Sequence, residues 1–107
     1  MSSPCPFCSL RAERFIRESE HAVVIRDGFP VSPGHTLVIP KRHVASFFEV
    51  TEVERADLVS LLAMARADLE REFQPAGYNV GINDGAAAGQ TVPHLHIHLI
   101  PRYDGDR

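Results

Sequence analysis

His94-Leu95-His96-Ile97-His98-Leu99-Ile100 alternates imidazole with aliphatic side chains, and that alternation decides the fold. A period of two is the signature of a β-strand with one apolar face. Residues i, i+2 and i+4 of a strand point the same way, so the three imidazoles share one face and Leu95, Ile97 and Leu99 turn to a core. Successive imidazoles on that face lie roughly 6.5–7 Å apart. A buried sheet face needs only the aliphatic half of this pattern; the histidine half points to chemistry.

Directly upstream lies Gly85-Ala86-Ala87-Ala88-Gly89-Gln90-Thr91-Val92-Pro93, with two glycines, an amide, a hydroxyl and no bulky side chain before Val92. Glycine-rich backbone turned toward a ligand is a common phosphate cradle. A strand of nucleophile-capable imidazoles after such a loop reads as phosphoryl or nucleotidyl transfer with a histidine attacking. Two other readings stand beside it. Neutral imidazole is a common metal ligand, so the three histidines form a possible transition-metal site, and a strand histidine can also be purely structural. His96 is the candidate nucleophile, being the middle imidazole with a neighbour on each side.

Working outward, the chain of 107 residues is long enough for one core and is expected to form a single domain over 1–107. Ala22 to Arg26 and His35 to Pro40 read as strands, with a weaker one from Arg14 to Glu18 and another from Gly77 to Asp84. Residues 5–12 suggest a short helical turn and 46–50 another. From Thr51 to Phe73 the period becomes 3.6, with Leu58, Leu62, Ala65, Leu69 and Phe73 in one stripe and Leu61 beside it. Thr51 and Glu54 fit a capping box, and Pro75 and Gly77 stop the helix. The expectation is an α+β domain of antiparallel strands interrupted by one long helix.

A hydrophobic content of 44% and charged content of 23% are ordinary for a globular protein. The net charge of −3 argues against nucleic acid or an acidic membrane as partner, so a phosphate must be held locally. No apolar run reaches a membrane span and residues 1–20 lack a signal-peptide core, which makes the cytoplasm the default location. Cys5-Pro6-Phe7-Cys8 is then a thiol redox pair or half of a zinc site rather than a structural disulfide. Redox motifs of this kind follow a buried strand, for which the four residues before Cys5 leave no room.

Gly89 to Arg102 resembles the signature of the histidine triad family of nucleotide hydrolases and transferases, in which three histidines alternate with apolar residues. Pro33-Gly34-His35-Thr36-Leu37-Val38-Ile39-Pro40-Lys41-Arg42-His43 is similar to that family's second motif, and the resemblance runs from Cys5 to Arg102. It implies a five-stranded antiparallel sheet under one long helix with a short N-terminal helix, and a homodimer. Within the family, the segment from Pro93 to Asp106 looks most like the bacterial diadenosine tetraphosphate hydrolase branch.

The resemblance also implies roles. His96 becomes a covalent nucleotidyl-histidine that water later releases. His98 donates to a phosphate oxygen or the leaving group, with Gly89, Gln90 and Thr91 holding the remaining oxygens, and His35 supports the triad. Asp27 matches a position that holds ribose hydroxyls, and Asn83 another nucleotide contact. Phe7, Leu10, Val24 and Ile25 are candidates for the base pocket, while His21 reads as a surface turn residue. Cys5, Cys8, His43 and His94 together make a Cys2His2 set equivalent to residues that hold structural zinc in some bacterial members, so His94 serves both triad and metal. Alternatives kept open are an adenosine phosphoramidase, a zinc metallohydrolase ligated by His94, His96 and His98, and a non-catalytic nucleotide-binding protein. Many relatives continue beyond the triad strand, with a tail that shapes the leaving-group side.

Overall fold

A computed structural model describes residues 5–106; residues 1–4 and Arg107, the ends of the expected domain, lie outside them. The long helix starts where the capping box puts it. Thr51 Oγ1 accepts from the Glu54 N–H at 3.1 Å while Glu54 Oε1 accepts from the Thr51 N–H at 2.8 Å. Helix α1 then covers Glu52–Phe73 and ends at Gln74, which takes the left-handed conformation just before Pro75. Its buried apolar stripe is Leu58, Leu61, Ala65 and Leu69. Leu61 sits inside this stripe, whereas Leu62 and Phe73 pack at its margin.

Five strands form the sheet: β1 (Arg17–Glu18), β2 (Ala22–Arg26), β3 (Thr36–Pro40), β4 (Gly77–Gly81) and β5 (Ile97–Arg102). Their spatial order is β1-β2-β3-β5-β4, antiparallel throughout, which is the expected α+β architecture. Three boundaries differ from the sequence reading. Strand β1 is only two residues long because Ala12–Arg14 close a 3-10 turn, which also supplies the short N-terminal helical piece. The turn expected over 5–12 is confined to the cysteine segment, where Cys8 N–H donates to Cys5 O at 3.2 Å. Strand β4 ends at Gly81, opposite His98.

A further difference concerns the triad. Pairing of β5 begins at Ile97, so His94 and His96 precede the ladder, although the Leu95 N–H still donates to Val44 O at 2.7 Å. The alternation nevertheless persists, since Leu95, Ile97 and Leu99 all enter the core beneath α1. That core also takes Ala22, Val24 and Val38 from β2 and β3. The opposite face of these strands, Val23, Ile25, Leu37 and Ile39, is covered by Phe7, Leu10 and Phe15 from the N-terminal segment. Val24 therefore belongs to the helix side and not to a base pocket.

Gly34 brings the β2–β3 loop down onto the helix. Its φ is +87°, and a Cβ there would stand 3.0 Å from Leu69 Cδ2 and 3.2 Å from Phe73 and Pro101 side chains. This close approach delivers His35 to the edge of β5. No helix among the described residues is long and apolar enough to cross a membrane.

Candidate active site

The N-terminal segment covers β2 and β3 but leaves the histidine side of β5 open, and the gap is a cleft of about 490 Å³. One end is apolar, walled by Pro6, Phe7, Ile25 and Leu37; the other presents Asp27, Asn83, Gly89, Thr91, His96 and His98. Gly89 has φ +93°, and its missing Cβ leaves Asn83 Nδ2 free to approach the loop, where that amide donates to Ala88 O at 2.7 Å. Backbone and a hydroxyl thus line the wall beside the two imidazoles.

The hydrogen bonds assign a tautomer to each histidine of the site, because carbonyls only accept and backbone amides only donate. His96 Nδ1 lies 2.9 Å from His94 O and must carry the proton, which leaves the Nε2 lone pair bare toward the cleft. In the neutral imidazole with that tautomer, Nε2 is the nitrogen able to attack. The N–H of Val31 donates to His35 Nδ1 at 3.0 Å, so the His35 proton sits on Nε2. From there it is directed at His98 Nδ1, 3.0 Å away, and weakly at Asp27 Oδ2, 3.4 Å away. His98 accepts at Nδ1, so its own proton is on Nε2.

Burial lowers the pKa of His35 against the opposing pull of Asp27, and burial with the neighbouring His96 and His35 lowers that of His98. Both rings are held neutral, as the tautomer chain requires. Asp27 is shared, since its Oδ1 accepts from the Phe29 N–H at 2.8 Å while Oδ2 faces His35.

His94 turns away from the cleft. Its Nε2–H donates to Pro40 O at 2.8 Å, leaving the Nδ1 lone pair to face Cys5 Sγ at 3.3 Å and Cys8 Sγ at 3.5 Å. Cys8 Sγ is 3.1 Å from His43 Nδ1, and the donor atoms of Cys5, Cys8, His43 and His94 all lie within 4.8 Å of one another. Tetrahedral zinc, with bonds of roughly 2.0–2.3 Å, holds its donors under about 4 Å apart, and the Cys5–His94, Cys8–His94 and Cys8–His43 approaches meet that spacing. A backbone carbonyl fixing the far nitrogen of a ligating imidazole is the usual supporting arrangement. Desolvation and the adjoining Cys5 sulfur raise the Cys8 pKa, the kind of repulsion a dication relieves.

His94, His96 and His98 do not converge on one point as a three-histidine metal site would. His94 Nε2 and His96 Nδ1 are bound to carbonyls, and the donor groups among the described residues fall into two other sets. The second set, Asp27, His35 and His98, is joined instead by hydrogen-bond contacts through His35 Nε2. A metal on His35 Nε2 would need the proton moved to Nδ1, against the Val31 N–H.

Of the residues singled out in the sequence, Asp27, Asn83, Gly89, Thr91, His96 and His98 line the cleft, and Phe7 and Ile25 join them. His35 lines a second cavity of about 380 Å³ on the far side of His98. Gln90 does not reach the cleft: its Oε1 accepts from Gly85 N–H at 2.7 Å and its Nε2 donates to Ala45 O at 2.9 Å, so it staples the loop instead. Leu10 packs against the cluster of Val23, Ile25, Leu37 and Ile39 rather than in the cleft.

Sequence reading missed Leu37, Arg14, Phe29 and the Val31 amide. The strand period could have found Leu37, two residues from His35 on the same face. Arg14 and Phe29 reach the cleft only because the turn at Ala12–Arg14 and the loop after Asp27 curl back, which periodicity does not encode.

The HIT domain family matches residues 11–105. A HIT-like protein of Mycoplasma pneumoniae, itself uncharacterised, is 45% identical over 94% of this chain and 72% of its own. The bis(5'-nucleosyl)-tetraphosphatase (asymmetrical) of Schizosaccharomyces pombe is 44% identical over 72% of this chain, which spans 42% of that enzyme. The crystal structure of a zinc-bound histidine triad family protein from Mycobacterium smegmatis superposes with a TM-score of 0.85 at 35% identity, covering 96% of this chain and 78% of that one.

Proposed function

Because this chain belongs to the HIT domain family, we propose that it releases a nucleoside monophosphate, adenosine monophosphate above all, from dinucleoside polyphosphates through a nucleotidyl-histidine on His96. The carrying observation is the His96 Nδ1–H bond to His94 O at 2.9 Å, which frees Nε2 at the floor of the cleft. The fission yeast relative named for bis(5'-nucleosyl) tetraphosphate cleavage supports the substrate class.

In the first step the His96 Nε2 lone pair bonds to the α-phosphorus and the bond to the leaving oxygen breaks, its electron pair departing with the leaving group. The Nε2–H of His98 hydrogen-bonds the leaving oxygen or a phosphoryl oxygen, while the loop backbone at Gly89 and the Thr91 hydroxyl hold the others. Preorganised donors of this kind supply much of the catalysis. Water then attacks phosphorus and gives up a proton to solvent, the N–P bond breaks with its electron pair on nitrogen, and His96 recovers its lone pair. Asp27 takes the ribose hydroxyls and the apolar end takes the base.

A phosphoramidate leaving group is the second reading, favoured by the cavity beyond His98. Val31, Val80, Ile82 and Ile100 line it with Asn79 and Asn83, and no lysine or arginine is among its lining residues. Among the described residues a polyphosphate tail would find no lysine or arginine there.

Cys5, Cys8, His43 and His94 would hold a structural zinc ion, whose contribution is a fixed N-terminal segment. A homodimer and a cytoplasmic location complete the reading, the latter keeping the thiols reduced. Turnover of diadenosine tetraphosphate and of an adenosine phosphoramidate by wild type and His96→Ala tests it. Loss of both activities in the variant is expected, and residual turnover at the wild-type rate would overturn it.

A further inference from the structure

Cys5 and Cys8 flank a wall of the cleft. Pro6 and Phe7, between them, line its apolar end, and the Phe7 ring meets His94 edge-on at 5.8 Å and His96 at 5.0 Å between centroids. The segment is one hydrogen-bonded turn, Cys8 N–H to Cys5 O, so whatever holds the sulfurs also holds Phe7. What holds them is the approach of Cys5 to His94 and of Cys8 to His43. Cys8 is exposed and Cys5 half-buried, within reach of a small oxidant.

Resting on the nucleotide reading above, we propose that Cys5 and Cys8 are a reversible oxidation site that sets the affinity of the cleft. A hydroperoxide is the oxidant. The Cys8 sulfur attacks its distal oxygen, the O–O bond breaks, and a sulfenic acid forms as the alcohol leaves, or water in the case of hydrogen peroxide. The Cys5 sulfur then bonds to Cys8 and the S–O bond breaks, releasing water. Two electrons pass from the sulfur pair to the peroxide, and the two protons that end in the departing alcohol and water come from the thiols, or from solvent where the sulfurs are thiolates that held a metal, which is then released.

A disulfide bond of roughly 2.05 Å draws the sulfurs together, and its sulfurs are neither thiol donors nor anionic ligands. The contacts to His94 and His43 are lost, the turn is released, and Phe7 leaves its place against His96 and the base end. The effect expected is adenosine monophosphate binding weakened roughly threefold to tenfold, the scale of one aromatic edge contact.

The test uses the full chain with its metal as purified. Adenosine monophosphate affinity is measured by calorimetry before hydrogen peroxide, after it, and after a dithiol reductant, with the disulfide verified by loss of alkylatable thiols and metal release followed by a chromogenic chelator. Weakening on oxidation with recovery on reduction is expected. Phe7→Ala should bind weakly in both states, and Cys5→Ser with Cys8→Ser should not respond to peroxide. Equal affinity of the verified disulfide and dithiol forms overturns the coupling, as does a loss that the dithiol does not reverse. Failure of the reduced protein to bind at all overturns the nucleotide reading on which the coupling rests.

Discussion

His35 Nε2 and His98 Nδ1 stand 3.0 Å apart, and the Val31 N–H, 3.0 Å from His35 Nδ1, decides which of them donates. A backbone amide thereby fixes the proton of His98, two side chains away, on Nε2. His35→Ala should lower kcat roughly 10- to 100-fold, the usual cost of losing an orienting hydrogen bond behind a working imidazole. KM and product binding should change little. Steady-state kinetics with calorimetry for adenosine monophosphate separates the two, and a loss confined to KM would assign His35 to binding instead.

Asp27 lines the cleft and faces His35 at 3.4 Å, and the proposed function gives it the ribose hydroxyls. Asp27→Asn should weaken adenosine monophosphate binding about tenfold or more, as expected when a charged hydrogen-bond acceptor is lost. Affinity for the 2',3'-dideoxy analogue should be unchanged, because that ligand has no hydroxyls to donate. Equal losses for both ligands would move Asp27 out of the ribose site.

The histidine pair makes a signed statement about pH. His35 and His98 have folded-state pKa values below the ordinary 6.5 because burial disfavours their charged forms. Below that value the unfolded chain binds more protons than the folded one, so stability must fall as pH drops and be fully present above it. Thermal unfolding from pH 7.5 to 5 should show this decline, flattened in His98→Asn. A further loss is expected as pH falls from 4.5 toward 2, where Glu54, held down to about 2 by Arg42 and the Thr51 N–H, takes up its proton.

Much of this was legible in the sequence because it rests on side-chain period. The aliphatic half of the triad segment reached the core even where the ladder had not begun, and Thr51 with Glu54 capped α1 as their spacing implied. Membership of the HIT family came from two motifs in order. What period could not show were relations made by backbone. Val31 offers an N–H, not a side chain, and the period alone puts His94 on one face with His96 and His98, whereas its ring turns to the cysteines. Gln90 looked like a phosphate ligand by position, yet Gly85 and Ala45 hold both ends of its amide.

Metal removal separates structure from chemistry. Purified protein should contain zinc, and its absorption fine structure should fit two sulfur and two nitrogen ligands at roughly 2.3 and 2.0–2.1 Å. Chelation should lower Tm by roughly 4–8 °C for each kcal/mol of binding lost. Turnover should decline with affinity rather than vanish, because none of Cys5, Cys8, His43 and His94 lines the cleft. Complete loss of kcat with unchanged Tm would favour a catalytic metal.

The central claim is that the free Nε2 of His96 becomes bonded to phosphorus. Its most direct test is intact mass after a brief incubation with diadenosine tetraphosphate, quenched without acid, for wild type and His96→Ala side by side. An adenylyl adduct on the wild type alone, mapped to His96, is the predicted result. Product formed at the same rate by the variant, or an adduct on another residue, would contradict the account.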